Sequence, residues 1–126
     1  LAAAIVGGMP ADLVRAQKSD LVQKFMGGTV EQFPQRYVEA SPLQQLSARS
    51  APMLLYHGSW DLIVWAQYSR DMHARLRALG VDTELVPLVA RGHIAAFFLD
   101  GAAKQRAFAF LERHFAVVNT STHAAR

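Results

Sequence analysis

Three short apolar runs limit what this chain can fold into. They cover residues 1–6, 52–56 and 83–89, and segments with helical patterns separate them. A short apolar run bounded by turn residues is typical of a strand covered on both faces, and helices between such runs favour parallel pairing. The sequence therefore predicts an α/β fold with a small parallel sheet of about three strands and flanking helices. Pro87 interrupts the third run and cannot donate to a sheet ladder, so this strand is expected at an edge.

The clearest predicted helix follows the second run. Five apolar residues recur there at intervals of three or four: Trp65, Tyr68, Met72, Leu76 and Leu79. This spacing places them on one face of a helix, and Gly80 stands where a helix stop is expected. A final helix is predicted over about residues 102–115. We expect one domain over residues 1–116, followed by a polar tail over residues 117–126.

The segment between the first two runs has weaker patterns. Residues 9–26 are predicted to form one broken helix or two short helices, ended by a pair of glycines, and residues 29–39 are predicted to form a loop. Ser41 stands at an N-cap position, with Pro42 first in the helix and Gln44 third, as in a capping box. The sequence therefore predicts a short helix over residues 42–48 that is capped by Ser41.

Composition excludes several classes of partner and chemistry. The 126 residues are 52% apolar, enough for the core of one domain or part of one. The net charge is only +3 and the acidic and basic residues are interspersed, so no nucleic-acid partner is expected. No apolar stretch approaches the roughly 18 residues of a membrane span. Without cysteine there are no disulfides or thiolate nucleophiles, which fits reducing and oxidising compartments equally and leaves the localisation open.

Two polar motifs follow the second and third runs, at the points where parallel strands would end. A His-Gly-Ser-Trp-Asp sequence occupies residues 57–61, and a Gly-His pair occupies residues 92–93. In open α/β sheets, groups that follow the carboxyl ends of neighbouring strands meet at the same edge. We therefore expect the side chains of Asp61 and His93 to lie within hydrogen-bond reach of each other.

Together with their surroundings, these motifs resemble the C-terminal half of α/β-hydrolases of the carboxylesterase and prolyl-oligopeptidase-like branches. The resemblance extends from about Phe25 to Phe115. The matching positions are Gly27-Gly28, Tyr37 with Ala40-Ser41-Pro42, residues 51–58, Asp61 with Val64, Gln67 with Ser69, residues 76–80, residues 84–86 and Gly92-His93. The resemblance implies a partial α/β-hydrolase fold in which the N-terminal half of the domain is absent.

The resemblance also implies roles for single residues in a serine-type hydrolase of ester, amide or peptide bonds. Such hydrolases use a catalytic triad whose members follow the order Ser, Asp, His along the chain. Asp61 would be the carboxylate that orients the base, and His93 would be the general base. No Gly-x-Ser-x-Gly nucleophile elbow occurs in the sequence, so the serine is expected outside this chain. Independently of the resemblance, Trp60 and Trp65 are expected either at the mouth of a pocket or in simple packing beside the loop. No cofactor or metal is implied.

Other interpretations of the same residues stay open. His57, Asp61 and His93 are residue types that bind zinc, although the triad explains more of the motif, and His57 is expected to be a structural hydrogen-bonding residue. A catalytically inactive hydrolase remnant that acts as a binding or assembly module is the alternative function. In either case, the run from Leu1 to Val6 would be an apolar edge strand that pairs with a second copy or with a missing N-terminal half.

Overall fold

The structure is a computed structural model that describes residues 2–98 and 101–123. Its three strands are β1 (Ala4–Gly7), β2 (Met53–Gly58) and β3 (Thr83–Leu88). Its helices are α1 (Asp20–Met26), α2 (Pro34–Glu39), α3 (Gln67–Ala78), α4 (His93–Phe98) and α5 (Gly101–His123), with a short 3₁₀ helix over Pro42–Gln45.

The three strands form one parallel sheet in the order β1-β2-β3. The register pairs Ala4 of β1 with Met53 of β2, and pairs Met53 in turn with Thr83 of β3. The predicted small parallel sheet is therefore confirmed. Strand β3 lies at an edge, as expected from Pro87, because the edge position spares the sheet the hydrogen bond that proline cannot donate.

Both faces of the sheet are covered, which explains why the strand sequences are continuously apolar. In the central strand, Leu54 packs with Val86 of β3 and Phe110 of α5 on one face. Its neighbour Leu55 points to the opposite face and joins the cluster that contains Met72 of α3. Successive strand residues alternate between faces, so a strand with helices on both sides needs apolar residues at every position.

Two predictions for the segment before β2 are wrong. Residues 29–39 were expected to form a loop, but helix α2 (Pro34–Glu39) occupies their second half. Pro34 starts this helix, and the fully buried Tyr37 anchors it by donating a 2.8 Å hydrogen bond to the carbonyl of Gly28. Six residues are too few to show a helical period, and the anchoring contact is tertiary.

The predicted cap of the next helix is also wrong. Ser41 makes no capping hydrogen bond to the 3₁₀ helix, which is shorter than the predicted helix and ends at Gln45. Instead its buried hydroxyl accepts a 2.9 Å hydrogen bond from the N–H of Leu13 and donates a 2.7 Å one to the carbonyl of Tyr37. A buried hydroxyl must satisfy whichever backbone groups surround it, and here these belong to other segments.

Helices α3 and α5 follow the predicted pattern with different lengths, whereas α4 (His93–Phe98) was not predicted. Helix α3 ends just before Gly80, as its spacing predicts. Helix α5 is longer than the predicted final helix and continues through Ser121 to His123, because no Gly or Pro interrupts the segment after Phe115. The end of the predicted tail, residues 124–126, lies outside the described residues. Among the described helices, none combines the length and apolar character that a membrane span requires.

Candidate active site

The loops after β2 and β3 are joined by hydrogen bonds at one edge of the sheet. The N–H of Ser59 donates to the carbonyl of Leu88 over 2.9 Å, and the N–H of Trp60 donates to that of Arg91 over 3.0 Å. In return, the N–H of Ala90 donates to the hydroxyl oxygen of Ser59 at 2.9 Å. These bonds hold the two predicted motifs against each other, and the part played by Ser59 had no signal in the sequence.

The side chains of Asp61 and His93 are in direct contact across these loops. Nδ1 of His93 lies 2.7 Å from Oδ2 of Asp61, so the predicted hydrogen bond is present. Because a carboxylate only accepts, the imidazole donates its Nδ1–H, which leaves Nε2 as the ring nitrogen for a further partner. The Asp61 side chain is 1% exposed and that of His93 is 24% exposed, so the carboxylate is buried while the imidazole can be reached from solvent.

Asp61 is ionised in spite of its burial. Desolvation raises the pKa of its carboxyl, but hydrogen bonds from the N–H groups of Val64 and Ile63 and from His93 more than offset this. The two backbone donors lie 2.8 and 2.9 Å from Oδ1. The pKa of Asp61 therefore lies below its ordinary value of 3.8, and the group carries its charge at neutral pH.

This lowered pKa predicts a dependence of stability on pH. The native state binds the Asp61 proton less tightly than the unfolded chain, so its contribution to stability is fully present above about pH 3.8. That contribution is lost as the pH falls through the native pKa. The unfolding free energy of Asp61→Asn, measured by urea denaturation between neutral pH and pH 2, should fall less steeply below pH 4 than that of the parent chain. Asp20→Asn, a charge change at the start of α1, serves as control, and equal slopes for all three proteins would contradict the prediction.

His57 is the second imidazole of the site, and it is buried, as its predicted structural role requires. Its Nδ1 lies 2.6 Å from Oγ of Ser69. Its Nε2 lies 2.7 Å from the carbonyl oxygen of Val64 and 3.1 Å from Oδ2 of Asp61. The role of Ser69 was not predicted from the sequence; the available signal was a polar residue beside the buried stripe of α3.

Gly8, directly after β1, lies against the imidazole ring of His93. A Cβ atom at Gly8 would lie 3.1 Å from Cε1 of His93, and the backbone there has a φ of +56°. The same Cβ atom would lie 3.5 Å from Cζ of Phe97, whose ring is nearly perpendicular to the imidazole with ring centroids 5.6 Å apart. The absence of a side chain at Gly8 thus leaves the space that the His93 ring uses.

An apolar cleft of about 420 Å³ lies beside the Asp61 loop. Trp65, Ile63 and Val64 form one of its walls, and residues of the segment 10–22 form the other. Of the two tryptophans predicted near the substrate, Trp65 lines this cleft and Trp60 does not; the Trp60 side chain is exposed on the loop. Neither Asp61 nor His93 lines the cleft, but the lining residues Ile63 and Val64 donate their N–H groups to Asp61.

The zinc alternative needs three ligating side chains around one point. Within residues 2–98 and 101–123, no group of three or more His, Asp or Glu side chains has a geometry that could hold a metal ion. Three of the four ring nitrogens of His57 and His93 have hydrogen-bond partners, because His57 bonds Val64 and Ser69, and Nδ1 of His93 bonds the carboxylate.

The chain is similar in sequence to known hydrolases. The sequence profile of the prolyl oligopeptidase family matches residues 2–118. A curated relative, esterase LipC of Mycobacterium tuberculosis (strain ATCC 25618 / H37Rv), is 32% identical over 75 residues, which are 59% of this chain and 18% of the relative.

Solved structures share the fold at lower identity. A truncated carbohydrate esterase from gut microbiota superposes with a TM-score of 0.72 at 18% identity, over 89% of this chain and 42% of the other. The Porphyromonas gingivalis dipeptidyl peptidase 4 also gives 0.72, at 19% identity, over 89% of this chain and 16% of the peptidase. The thermophilic esterase Est2 of Thermogutta terrifontis gives 0.64 at 22% identity, over 92% and 42%. The chain thus corresponds to part of the α/β-hydrolase fold and spans less than half of these proteins.

Proposed function

Because the chain belongs to the prolyl oligopeptidase family, we propose that it supplies the acid and the base of a serine-type hydrolase of ester, amide or peptide bonds. The observation that carries this proposal is the 2.7 Å contact between Nδ1 of His93 and the buried Oδ2 of Asp61. A sealed carboxylate behind a partly exposed imidazole is the arrangement that a general base of this class requires.

The proposed chemistry follows from the orientation of the imidazole. Asp61 accepts the Nδ1–H of His93 and stabilises the imidazolium that forms during the reaction. Nε2 then removes the hydroxyl proton of a serine as that serine attacks the substrate carbonyl, and returns the proton to the leaving oxygen or nitrogen. Asp61 keeps its charge throughout, so only the base exchanges protons.

We propose that the attacking serine lies outside residues 1–126. The chain has no Gly-x-Ser-x-Gly sequence, and it spans at most 42% of the three solved relatives described above. The serines closest in sequence to the acid have other partners, because Ser59 accepts from Ala90 and Ser69 bonds His57. The oxyanion-hole donors, which come from the residue after the nucleophile and an earlier loop, would be outside the chain as well.

The substrate contacts are proposed from the cleft beside the acid. Its wall at Trp65 and Ile63 is apolar, which suits an apolar acyl or leaving group of an ester, an amide or a short peptide. Trp60 is proposed as a further contact because it precedes Asp61 on the same exposed loop.

The test compares two proteins: the 126-residue chain and the whole-frame protein, by which we mean the product of the complete reading frame that encodes it. Each is incubated with a fluorophosphonate probe and with p-nitrophenyl acetate. We expect no labelling and no serine-dependent turnover in the chain, and labelling of one serine with turnover in the whole-frame protein. Labelling of a serine within residues 1–126 would contradict the external nucleophile, and an unlabelled, inactive whole-frame protein would favour the inactive binding or assembly module.

We also propose that the free edge of β1 pairs with another strand. Within the described part of the chain, β1 pairs only with β2. The N–H of Ala4 donates to the carbonyl of Pro52, just before β2, and that of Gly8 donates to Tyr56 of β2. The alternation along the strand therefore turns the N–H of Ile5 away from β2. An apolar strand with free N–H and C=O groups readily adds a further strand, from the rest of a hydrolase domain or from a second copy.

The isolated chain is accordingly expected to self-associate at micromolar concentration. Ile5→Pro removes the outward N–H and should weaken association, whereas Ile5→Ala shortens the side chain but keeps the N–H and should associate more strongly than the proline variant. Sedimentation equilibrium measures both variants and the parent chain. A monomeric parent chain, or equal association of the two variants, would show that this edge does not mediate pairing.

A further inference from the structure

We propose that His57 and Ser69 are positioning residues for Asp61: the Ser69 hydroxyl donates to Nδ1 of His57, and the Nε2–H of His57 then holds the turn that carries the acid. The catalytic consequence of this inference rests on the proposed function, but the hydrogen-bond arrangement does not. Neither residue contacts a position where substrate would react, so their action is through Asp61.

The position of the His57 proton follows from its partners. Nε2 lies 2.7 Å from the carbonyl oxygen of Val64, and a carbonyl oxygen only accepts. Nε2 therefore carries a hydrogen, which it shares with Oδ2 of Asp61 at 3.1 Å. In the neutral ring the other nitrogen is an acceptor, so the hydrogen between Nδ1 and Ser69 Oγ, 2.6 Å apart, belongs to the serine.

The fold explains why these two side chains meet. His57 follows Leu55 by two residues along β2, so both side chains point to the face of the sheet that α3 covers. Ser69 lies on α3, one turn before Met72, which packs against Leu55 on this face. The hydrogen bond between His57 and Ser69 thus ties the end of the central strand to the helix that follows the Asp61 loop.

Together the contacts clamp the turn over residues 61–64. Oδ1 of Asp61 accepts from the N–H groups of Ile63 and Val64. The Nε2–H of His57 is shared between Oδ2 of Asp61 and the carbonyl oxygen of Val64. With four hydrogen bonds on its two oxygens, the carboxylate has one orientation, and that orientation presents Oδ2 to His93. Removal of the His57 donor would free the Val64 carbonyl and one side of Oδ2 together.

Burial makes these contacts hard to replace. His57 and Ser69 are 3% and 4% exposed, so water cannot easily take the place of a lost partner. Within the described residues, no buried side-chain nitrogen or oxygen lacks a hydrogen-bond partner. A truncation at either position would therefore leave buried groups unsatisfied in the immediate neighbourhood of Asp61.

The first experiment reads the proton positions directly. The 126-residue chain is labelled with ¹⁵N in its histidine rings, and two-bond ¹H–¹⁵N spectra at neutral pH report which ring nitrogen carries hydrogen. We expect His57 with a protonated Nε2 and a bare Nδ1, and a low-field Nδ1–H resonance for His93. A His57 ring with its proton on Nδ1 would overturn the proposal without any variant.

A pair of variants then separates the two ends of the ring. His57→Gln can still place an amide donor near the former Nε2, whereas His57→Asn reaches only the region of Nδ1. In the asparagine variant we expect the low-field proton of His93 to exchange with water about tenfold faster or more, the scale of one lost hydrogen bond to a charged group; the glutamine variant should largely rescue it. His73→Gln, at a histidine elsewhere on α3, is the control. Exchange in His57→Asn at the parent rate would overturn the proposal.

Activity separates this inference from the proposed function. In the whole-frame protein, we expect His57→Asn to lower kcat about tenfold or more with little change in KM, and His57→Gln to recover most of it. If the whole-frame protein is inactive but the ring spectra are as expected, the proposed function fails and the hydrogen-bond arrangement stands. If it is active and His57→Asn has the parent kcat, the positioning role fails and the proposed function stands.

Discussion

Asp61→Asn in the whole-frame protein is expected to lower kcat about 10⁴-fold while the fold is retained, the size of effect known for the equivalent change in a serine-protease triad. The backbone N–H groups of Ile63 and Val64 both donate to Oδ1 of Asp61, so an asparagine would place its carbonyl oxygen there. Its NH₂ group would then occupy the position of Oδ2 and face His93. An NH₂ group only donates, so His93 would have to accept at Nδ1 and carry its proton on Nε2, where the base must be bare.

The measurement is the pH dependence of kcat and kcat/KM for an activated ester, with active-site titration to count intact enzyme. His93→Gln should lose a similar factor, and the double variant should lose little more, because members of a triad act as a unit. Asp71→Asn, a carboxylate on α3 that bonds Arg15 and Gln67, is the matched control and should retain kcat. An Asp61→Asn enzyme within tenfold of the parent would remove Asp61 from the triad.

The second large effect is expected at Gly58, where β2 meets the loop that precedes His93. A Cβ atom at this position would lie 2.2 Å from the carbonyl oxygen of Arg91 and 3.1 Å from that of Gly92. These are backbone atoms, so they cannot rotate away, and Gly58→Ala must push the loop off the strand. We expect a loss of about 1–3 kcal/mol in unfolding free energy, the usual cost of overpacking, together with a broken contact between Asp61 and His93.

Urea denaturation of the isolated chain gives the stability change, and the low-field proton of His93 reports the contact. Gly101→Ala is the control, because no described atom outside its own helix backbone and chain neighbours lies within 4 Å of a Cβ atom at Gly101, and alanine is the better helix former. A Gly58→Ala chain with the parent stability and an intact His93 resonance would show that the loop adjusts without cost.

The elements that were predictable are those with a local signal. Runs of apolar residues marked the three strands, and a period of three to four marked α3, because both patterns record which side of an element faces the core. The meeting of Asp61 and His93 was predictable for a topological reason. Parallel strands carry the groups that follow them to the same edge, whatever the details of the loops.

Other features had no local signal. Helix α2 is six residues long and depends on the burial of Tyr37. Ser41 has the sequence of a cap, yet its hydroxyl bonds Leu13, which lies 28 residues away along the chain. Sequence spacing describes which groups could bond within a turn, but a buried hydroxyl bonds to whatever the packed segments bring to it.

For this protein, the sequence alone determined the class of fold and the pairing of Asp61 with His93, because strand, helix and motif order are properties of the chain. Only the tertiary structure decided how the Asp61 side chain is held. Oδ2 of Asp61 accepts hydrogen bonds from two imidazoles, that of His57 on the central strand and that of His93 after the edge strand. Ser69 on α3 bonds the other nitrogen of His57. These groups come from separate elements, and the packing of helix on sheet fixes the distances between them. Such distances cannot be read from the spacing of residues along the chain.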